Sequence, residues 1–410
     1  MVAGMDNAYI VDIVRTPRGK GKAAGALHGV HPQELLAGVL QSLQQRTGLD
    51  PAAVDDVPTG CANDAGDHGD CIGRLGVLAA GWPDSVSGYT LNRNCGSGQQ
   101  AYNNAAAMIA AGQSDLVVAA GVEMMSRYPG GGRLTLDGGN PALRQRHPII
   151  PQGVSADLIA TVGGFGRADV DGYAAESQRR AAAAIAEGRF DASMVPVTAG
   201  GKLVLDHEEL PRATTAESLA ALRPSFTELG ATVFDGFAES FDDMARQVYP
   251  EVTGIDHVHH AGNSSGLADG AAAVLLAGQR SVEENGWKPR ARVVSTAVAG
   301  AEPVIMLTAP GPAAQKCVQR AGMSLKDIDL LEVNEAFAAV VLRFLAETGV
   351  DHDKVNVNGG AIALGHPIGA SGPILLATLL DELERRDLQT GLVTMCTGGG
   401  MATATVIERL

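Results

Sequence analysis

Aromatic side chains are scarce in this sequence: Phe, Trp and Tyr together supply 4% of it. That argues against aromatic-rich surfaces and leaves packing to aliphatic and small residues. Basic side chains are outnumbered, 31 against 46 acidic ones, for a formal charge of −15. Such a balance argues against nucleic-acid binding, which needs phosphate-neutralising Lys/Arg patches. It leaves room for an anionic small ligand, since a few local arginines can set the field of one pocket. No apolar stretch approaches the ~20 residues of a membrane span. Nor does a basic-then-apolar leader pattern precede the first apolar run, which follows Met5-Asp6-Asn7. Cysteine is sparse as well: five residues, far apart, with no Cys-x-x-Cys pair. This excludes a disulfide framework and points to a soluble protein in a reducing, cytoplasmic setting.

What the chain does have is glycine, 52 residues of it, and frequent alanine runs. A 45% hydrophobic and 19% charged composition over 410 residues describes an ordinary globular protein with a large core. Short apolar runs at 8–14, 115–121 and 391–396 read as buried strands, while helical periodicity holds over 32–45, 98–111 and 373–384. Strands alternating with helices predict an α/β layered fold. An internal duplication refines this. The segment 46–55 (RTGLDPAAVD) resembles 320–329 (RAGMSLKDID), and in both a helix ends at Gly and a short turn is capped, by Asp50 or Ser324. Strand 115–121 has its counterpart at 391–396, and the runs 271–276 and 402–407 are similar closing strands. The expected organisation is an N-terminal half (1–125 plus 258–280), an inserted loop domain (126–257) and a C-terminal half (281–410). The insert carries Gly130-Gly131-Gly132, many charges and an amphipathic stretch over 172–188. Loops mounted on a rigid scaffold are where specificity resides.

Asn92-Arg93-Asn94-Cys95-Gly96-Ser97-Gly98 falls between a strand and a helix. A cysteine at a helix N-terminus meets free N–H groups and a dipole that favour thiolate; a buried structural cysteine is the plain alternative. The equivalent place in the second half holds Asn358-Gly359-Gly360-Ala361-Ile362-Ala363-Leu364-Gly365-His366-Pro367-Ile368-Gly369-Ala370-Ser371-Gly372. His366 could satisfy a turn, or be the base that activates a thiol; so costly a glycine loop favours the second. Cys396 ends a strand ahead of Thr397-Gly398-Gly399-Gly400, whose N–H groups could form an oxyanion hole. In Asn334-Glu335-Ala336-Phe337, which leads from a strand into a helix, Asn334 on its own reads as a helix cap.

Taken together, the Cys95 motif, the Asn-Glu-Ala-Phe motif, Gly365-His366-Pro367 and Cys396-Thr397-Gly398-Gly399-Gly400 resemble the thiolase family in order and spacing, along nearly the whole chain. Ala261-Gly262-Asn263-Ser264-Ser265-Gly266-Leu267-Ala268-Asp269-Gly270 is similar to a further thiolase signature. The resemblance implies a duplicated five-layer αβαβα fold and a two-step acyl transfer. Cys95 would be the acylated nucleophile and Cys396 the acid/base. His366 would activate Cys95 and, with a water held by Asn334, cradle the thioester oxygen that becomes the enolate. The N–H groups of Cys95 and Gly398 would form a second oxyanion hole. Coenzyme A would be a substrate, with no permanently bound cofactor. Ser265, Ala261, Gly266, Ala336 and Phe337 would line its pantetheine tunnel, and Arg212 and Arg223 would meet the nucleotide phosphates. No metal is expected, because His257, His259 and His260 lack companion ligands. By family analogy the chain forms a homodimer or homotetramer.

Two segments depart from the family pattern. Gly230 to Val258, with acidic Asp235, Glu239, Asp242 and Asp243, stands where members have a short link, near the expected CoA entrance. Pro151-Gln152-Gly153 replaces the usual Met-Gly beside the acyl pocket. The expected activity is thiolysis of 3-ketoacyl-CoA in acyl-chain degradation. A biosynthetic acetoacetyl-CoA thiolase is the alternative, and a non-catalytic CoA- or lipid-binding relative a remote one.

Overall fold

The computed structural model describes residues 7–128, 136–234 and 236–410. Met5, Asp6, the triplet Gly130-Gly131-Gly132 and Asp235 lie outside them. The first half opens with β1 (Tyr9–Arg15), β2 (Gly19–Lys20), α1 (Pro32–Thr47), β3 (Pro58–Gly60) and α2 (Ile72–Ala79). It continues through β4 (Tyr89–Leu91), α3 (Ser97–Ala110) and β5 (Leu116–Met124). A long excursion then carries α4 (Pro141–Arg146), α5 (Gln152–Gly163), α6 (Arg167–Ala186) and the hairpin of β6 (Val197–Ala199) and β7 (Lys202–Leu205). It ends with α7 (Ala216–Ala220), α8 (Thr227–Gly230) and α9 (Phe241–Val248), before β8 (Ala268–Ala277) returns. After α10 (Gln279–Asn285) come β9 (Ala291–Gly300), α11 (Pro310–Arg320), β10 (Leu330–Val333) and α12 (Ala338–Thr348). Last are α13 (Ala361–Leu364), α14 (Ser371–Arg386), β11 (Thr390–Thr397) and β12 (Met401–Arg409).

Strand order repeats between the halves: β1-β8-β5-β3-β4 in the first, β9-β12-β11-β10 in the second. In each, a parallel pair (β3 with β5, β10 with β11) meets antiparallel neighbours. The two sets join where Tyr9 and Ile10 pair with Arg292 and Ala291, making one continuous path of strands that the sequence did not foretell. The predicted turns recur too: Gly48 (φ 68°) and Gly322 (φ 71°) end their helices in the left-handed region, and Asp50 accepts from the Ala52 N–H at 3.0 Å.

Alternation along the strands explains the layers. On β5, Leu116, Val118 and Ala120 face the cluster under α1 and α2, whereas Val117 and Ala119 face one built from α3 and α14. Both faces of β5 are therefore covered, and its run reads as continuously apolar. A third cluster lies under α11 and α12 and extends into the excursion through Leu158, Phe241 and Met244. Helices α3 and α14 thus form a middle layer between two strand layers, with the other helices outside. Because α3 and α14 follow the Cys95 and His366 loops, this layer brings the two loops together.

Candidate active site

The Cys95 turn is held by side chains that bond locally. Asn94 takes a left-handed φ of 48°, which Asn tolerates better than most residues. The Ser97 hydroxyl donates to the Asn94 carbonyl at 2.6 Å and accepts from the Arg93 N–H at 2.9 Å. The Asn94 amide reaches across to the Gly398 carbonyl at 2.9 Å, tying the first half to the glycine run after β11. Cys95 sits just ahead of α3 as expected, but its thiol is not held as a thiolate. Burial pushes it up to about 11, although the Gly398 N–H faces the sulfur and pulls the other way. Desolvation outweighs the helix terminus here.

His366 follows Gly365, whose φ of 94° and surroundings admit only glycine: a Cβ there would lie 2.7 Å from Leu210 Cδ2. The His366 N–H donates to the Gly266 carbonyl at 2.9 Å. Its Nδ1 lies 2.5 Å from Ser371 Oγ, and that hydroxyl donates in turn to the Pro367 carbonyl at 3.0 Å. The serine therefore accepts from Nδ1–H, which leaves the lone pair on Nε2. Nε2 is buried and has no protein partner. Burial lowers the imidazole to about 4, so the ring is a neutral acceptor at neutral pH. Cys396, fully buried at the end of β11, is likewise a neutral thiol, raised by burial and then by the neighbouring Cys95.

Asn334 is not a helix cap. Helix α12 starts four residues later, at Ala338, and its N-cap is Phe337. Instead the Asn334 side chain is buried with both amide atoms lacking a protein partner, an arrangement that needs an explanation in a native protein.

One cavity of about 390 Å³ collects most of the predicted residues: Cys95, His366 and Cys396 with Ala261, Ser265, Gly266, Ala336 and Phe337. Backbone bonds fix the segment 261–267 between the other two motifs: Ser265 N–H to Ala336 O (3.0 Å), Gly266 N–H to Ala361 O (3.2 Å). Asn334 and Gly398 are not among the residues that line this cavity, and neither are Arg212 and Arg223, which are exposed. Arg212 donates to the Ala261 carbonyl at 3.1 Å, which places it beside the lining. Sequence reasoning missed Met125, Ser225, Phe226, Ser264, Leu267, Leu307 and Ile368, which complete the wall with Gln152. It also missed Ser371, although a hydroxyl five residues after a loop histidine is a visible candidate partner.

The segment 230–258, expected to be an addition near the CoA entrance, packs on the scaffold. Arg144 stacks on Phe234 at 4.4 Å, Tyr249 donates to Glu302 at 3.0 Å, and His257 bridges Asp157 (2.7 Å) and Asp242 (3.1 Å). His259 and His260 are bound to Asp157 and Asp171 at 2.7 and 2.9 Å.

A family model described as "Thiolase, N-terminal domain" matches residues 8–248, and one described as "Thiolase, C-terminal domain" matches 287–409. The chain is 40% identical to a steroid 3-ketoacyl-CoA thiolase of Mycobacterium tuberculosis, over all of this chain and 95% of the relative. It is also 40% identical to a beta-ketoadipyl-CoA thiolase of Pseudomonas aeruginosa, over 98% and 99%. To an acetyl-CoA acetyltransferase of Allochromatium vinosum it is 39% identical, over 99% and 100%. Among solved structures, the crystal structure of the Bacillus anthracis acetyl-CoA acetyltransferase superposes with a TM-score of 0.85 at 38% identity, covering 99% of this chain and all of the other. Fold, site and relatives define an acyltransferase: the chain belongs to the thiolase family.

Proposed function

We propose that this protein cleaves 3-ketoacyl-CoA with coenzyme A, giving acetyl-CoA and a shortened acyl-CoA, in the degradation of acyl chains. The observation that carries this reading is the cavity into which two thiols and an unpaired imidazole nitrogen all open. As the Cys95 sulfur attacks the 3-keto carbon, its proton passes to His366 Nε2. The C2–C3 bond breaks, the acyl group stays on Cys95, and Cys396 protonates C2 of the departing acetyl-CoA enolate. In the second half, the Cys396 thiolate takes the proton of the CoA thiol, whose sulfur displaces Cys95; His366 returns the first proton to the Cys95 sulfur. Each residue ends as it began.

The neutral resting states fit this scheme. Among the described residues no ion pair lines the pocket, and charge develops only when substrate supplies an oxygen to stabilise. Once protonated at Nε2, His366 can donate to the thioester oxygen. The unpartnered amide of Asn334 suits it to hold a water for that same oxygen, and the N–H groups of Cys95 and Gly398 suit the oxygen on the carbon under attack. Arg212, beside the cavity, is the better placed of the two arginines for the CoA nucleotide.

The excursion of 126–257 we read as the specificity unit between the halves 1–125 plus 258–280 and 281–410, since Gln152, Ser225 and Phe226 reach the cavity from it. The relatives include enzymes named for thiolysis of steroid 3-ketoacyl-CoA and beta-ketoadipyl-CoA and one named an acetyl-CoA acetyltransferase. Comparing thiolysis of acetoacetyl-CoA with longer 3-ketoacyl-CoA esters separates these readings. Turnover of the longer esters is expected; turnover of acetoacetyl-CoA alone would favour the condensing enzyme. A homodimer or a tetramer built from dimers is proposed from strand β4, which ends the sheet path beside the Cys95 turn with its residues half-buried. All five cysteines are free; a reducing, cytoplasmic setting is proposed from their sparse, scattered placement in the sequence. No described helix is long and apolar enough to cross a membrane.

A further inference from the structure

Glu123, at the end of β5, is a carboxylate with no exposed surface, and it is absent from the scheme above. Its Oε2 accepts the N–H of Ala62 at 2.8 Å and the N–H of Gly369 at 2.8 Å; its Oε1 accepts the N–H of Asn63 at 3.2 Å. These donors belong to two segments that lead straight to the reacting groups. Gly369 is three residues beyond His366. The Ala62 carbonyl accepts from the Asn92 side-chain amide at 2.8 Å, and Asn92 Oδ1 accepts the N–H of Asn94 at 2.8 Å, one residue before Cys95. One buried carboxylate therefore holds the turn of the nucleophile and the turn of the base, 271 positions apart in the chain (366 − 95).

The backbone is packed to match. A Cβ on Gly369 would lie 2.7 Å from the carbonyls of both Gly60 and Val122, and a Cβ on Gly98 would lie 2.3 Å from the Gly369 carbonyl. The His366 loop is thus seated directly on β3, β5 and the first turn of α3, with no side chain between. In this close contact the Gly369 N–H is held by a side chain, and among the described residues that side chain is Glu123.

We propose that Glu123 is a positioning residue for the acyl transfer, fixing the His366 loop relative to the Cys95 turn through these three backbone N–H groups. The proposal rests on the roles assigned above to Cys95 and His366. Burial raises the Glu123 carboxyl, and the Ala62 N–H, the Tyr128 hydroxyl and the N–H groups of Gly369 and Asn63 work against that rise. An amide cannot replace it fully: Gln has one acceptor oxygen, and its NH₂ would oppose one of the donors.

Glu123→Gln is nearly isosteric, and its test is steady-state thiolysis of acetoacetyl-CoA alongside thermal melting. The expected result is a kcat lower by roughly ten- to hundredfold, the cost of misplacing reacting groups by a fraction of an ångström to an ångström. KM for CoA should stay within about twofold, because Glu123 itself does not line the cavity, and the melting temperature should change little. A kcat within about twofold of the parent would overturn the proposal. So would parallel losses of kcat, CoA affinity and melting temperature, which would mark a purely structural role. Should Glu123→Gln give no folded protein, Glu123→Asp, which keeps the charge but withdraws it by one methylene, is judged by the same outcomes. Failure of both to fold would also overturn it, since the carboxylate would then serve the fold and not the reaction. Cys95→Ala run in parallel separates the two levels: if that variant keeps full activity, the assigned chemistry fails, whatever Glu123→Gln does.

Discussion

At the scale of single residues, the site is a set of polar groups whose partners inside the protein are incomplete. His366 spends Nδ1 on Ser371 and keeps Nε2 open; Asn334 keeps both amide atoms open. Burying an unpartnered amide costs stability, so a side chain retained in that state is better explained by work on a ligand. Asn334→Ala is accordingly expected to lower kcat by about 10²–10³, the scale for losing one oxyanion-stabilising group, while the melting temperature holds or rises. A lower melting temperature with unchanged kcat would show that the amide is structural. His366 has a second, physical signature. Its folded value, about 4, is depressed from an ordinary 6.5, so its contribution to stability is fully present above 6.5 and is lost as pH falls toward 4. Acid unfolding of His366→Gln, monitored by circular dichroism, should begin at lower pH than in the parent; an unchanged acid limb would contradict the burial of a neutral ring.

Among elements, the segment between α8 and β8 shows how a stretch without strands among its described residues is tied to its neighbours. Helix α9 buries Phe241 and Met244 in the same cluster as Leu158 of α5, and His257 clamps Asp157 of α5 to Asp242 of α9. Burial lowers the His257 ring, but its hydrogen bonds to the two carboxylates win and hold it at about 9. Because the folded value is raised above 6.5, the clamp's contribution is fully present below 6.5 and is lost as pH rises through 9. His257→Gln should therefore melt below the parent at a pH of about 6, with the gap closing by a pH of about 10. A gap independent of pH would mean that the clamp is not ionic. The acidic residues of this stretch were plain in the sequence, yet their role was not: Asp242 is tied to Asp157, 85 positions earlier (242 − 157), by a histidine that local spacing cannot pair with either. The Cys95 and His366 loops were legible for the opposite reason. Each is a glycine-bearing turn that leads into a long helix, Cys95 from β4 into α3 and His366 from α13 into α14, so its chemistry and its position were written within a few residues. Asn334 fell between these cases: a strand-to-helix Asn suggests a cap locally, and only the tertiary burial shows that it caps nothing. The protonated Cys95 was hidden likewise, because desolvation depends on what the rest of the chain places around the sulfur.

For the whole molecule, duplication puts the two loops on a common middle layer, α3 and α14, so that each half supplies one side of the site. The repeat of strand order could be read from matched segments about 275 residues apart, as in 391 − 115 = 276. The pairing of β1 with β9 could not, since nothing in two edge strands names the partner. Strand β4 leaves such an edge beside the Cys95 turn, and light scattering should report a dimer or tetramer; a monomer at micromolar concentration would remove the proposed contact. All of this turns on the acyl group residing on Cys95. The most direct measurement is mass spectrometry of the protein after brief exposure to a 3-ketoacyl-CoA without free CoA, followed by an acid quench and digestion. The account predicts an acyl adduct, two carbons shorter than the substrate's acyl chain, on the Cys95 peptide, discharged by adding CoA and missing from Cys95→Ala. An adduct on Cys396 instead, or steady turnover in Cys95→Ala with no adduct at all, would contradict it.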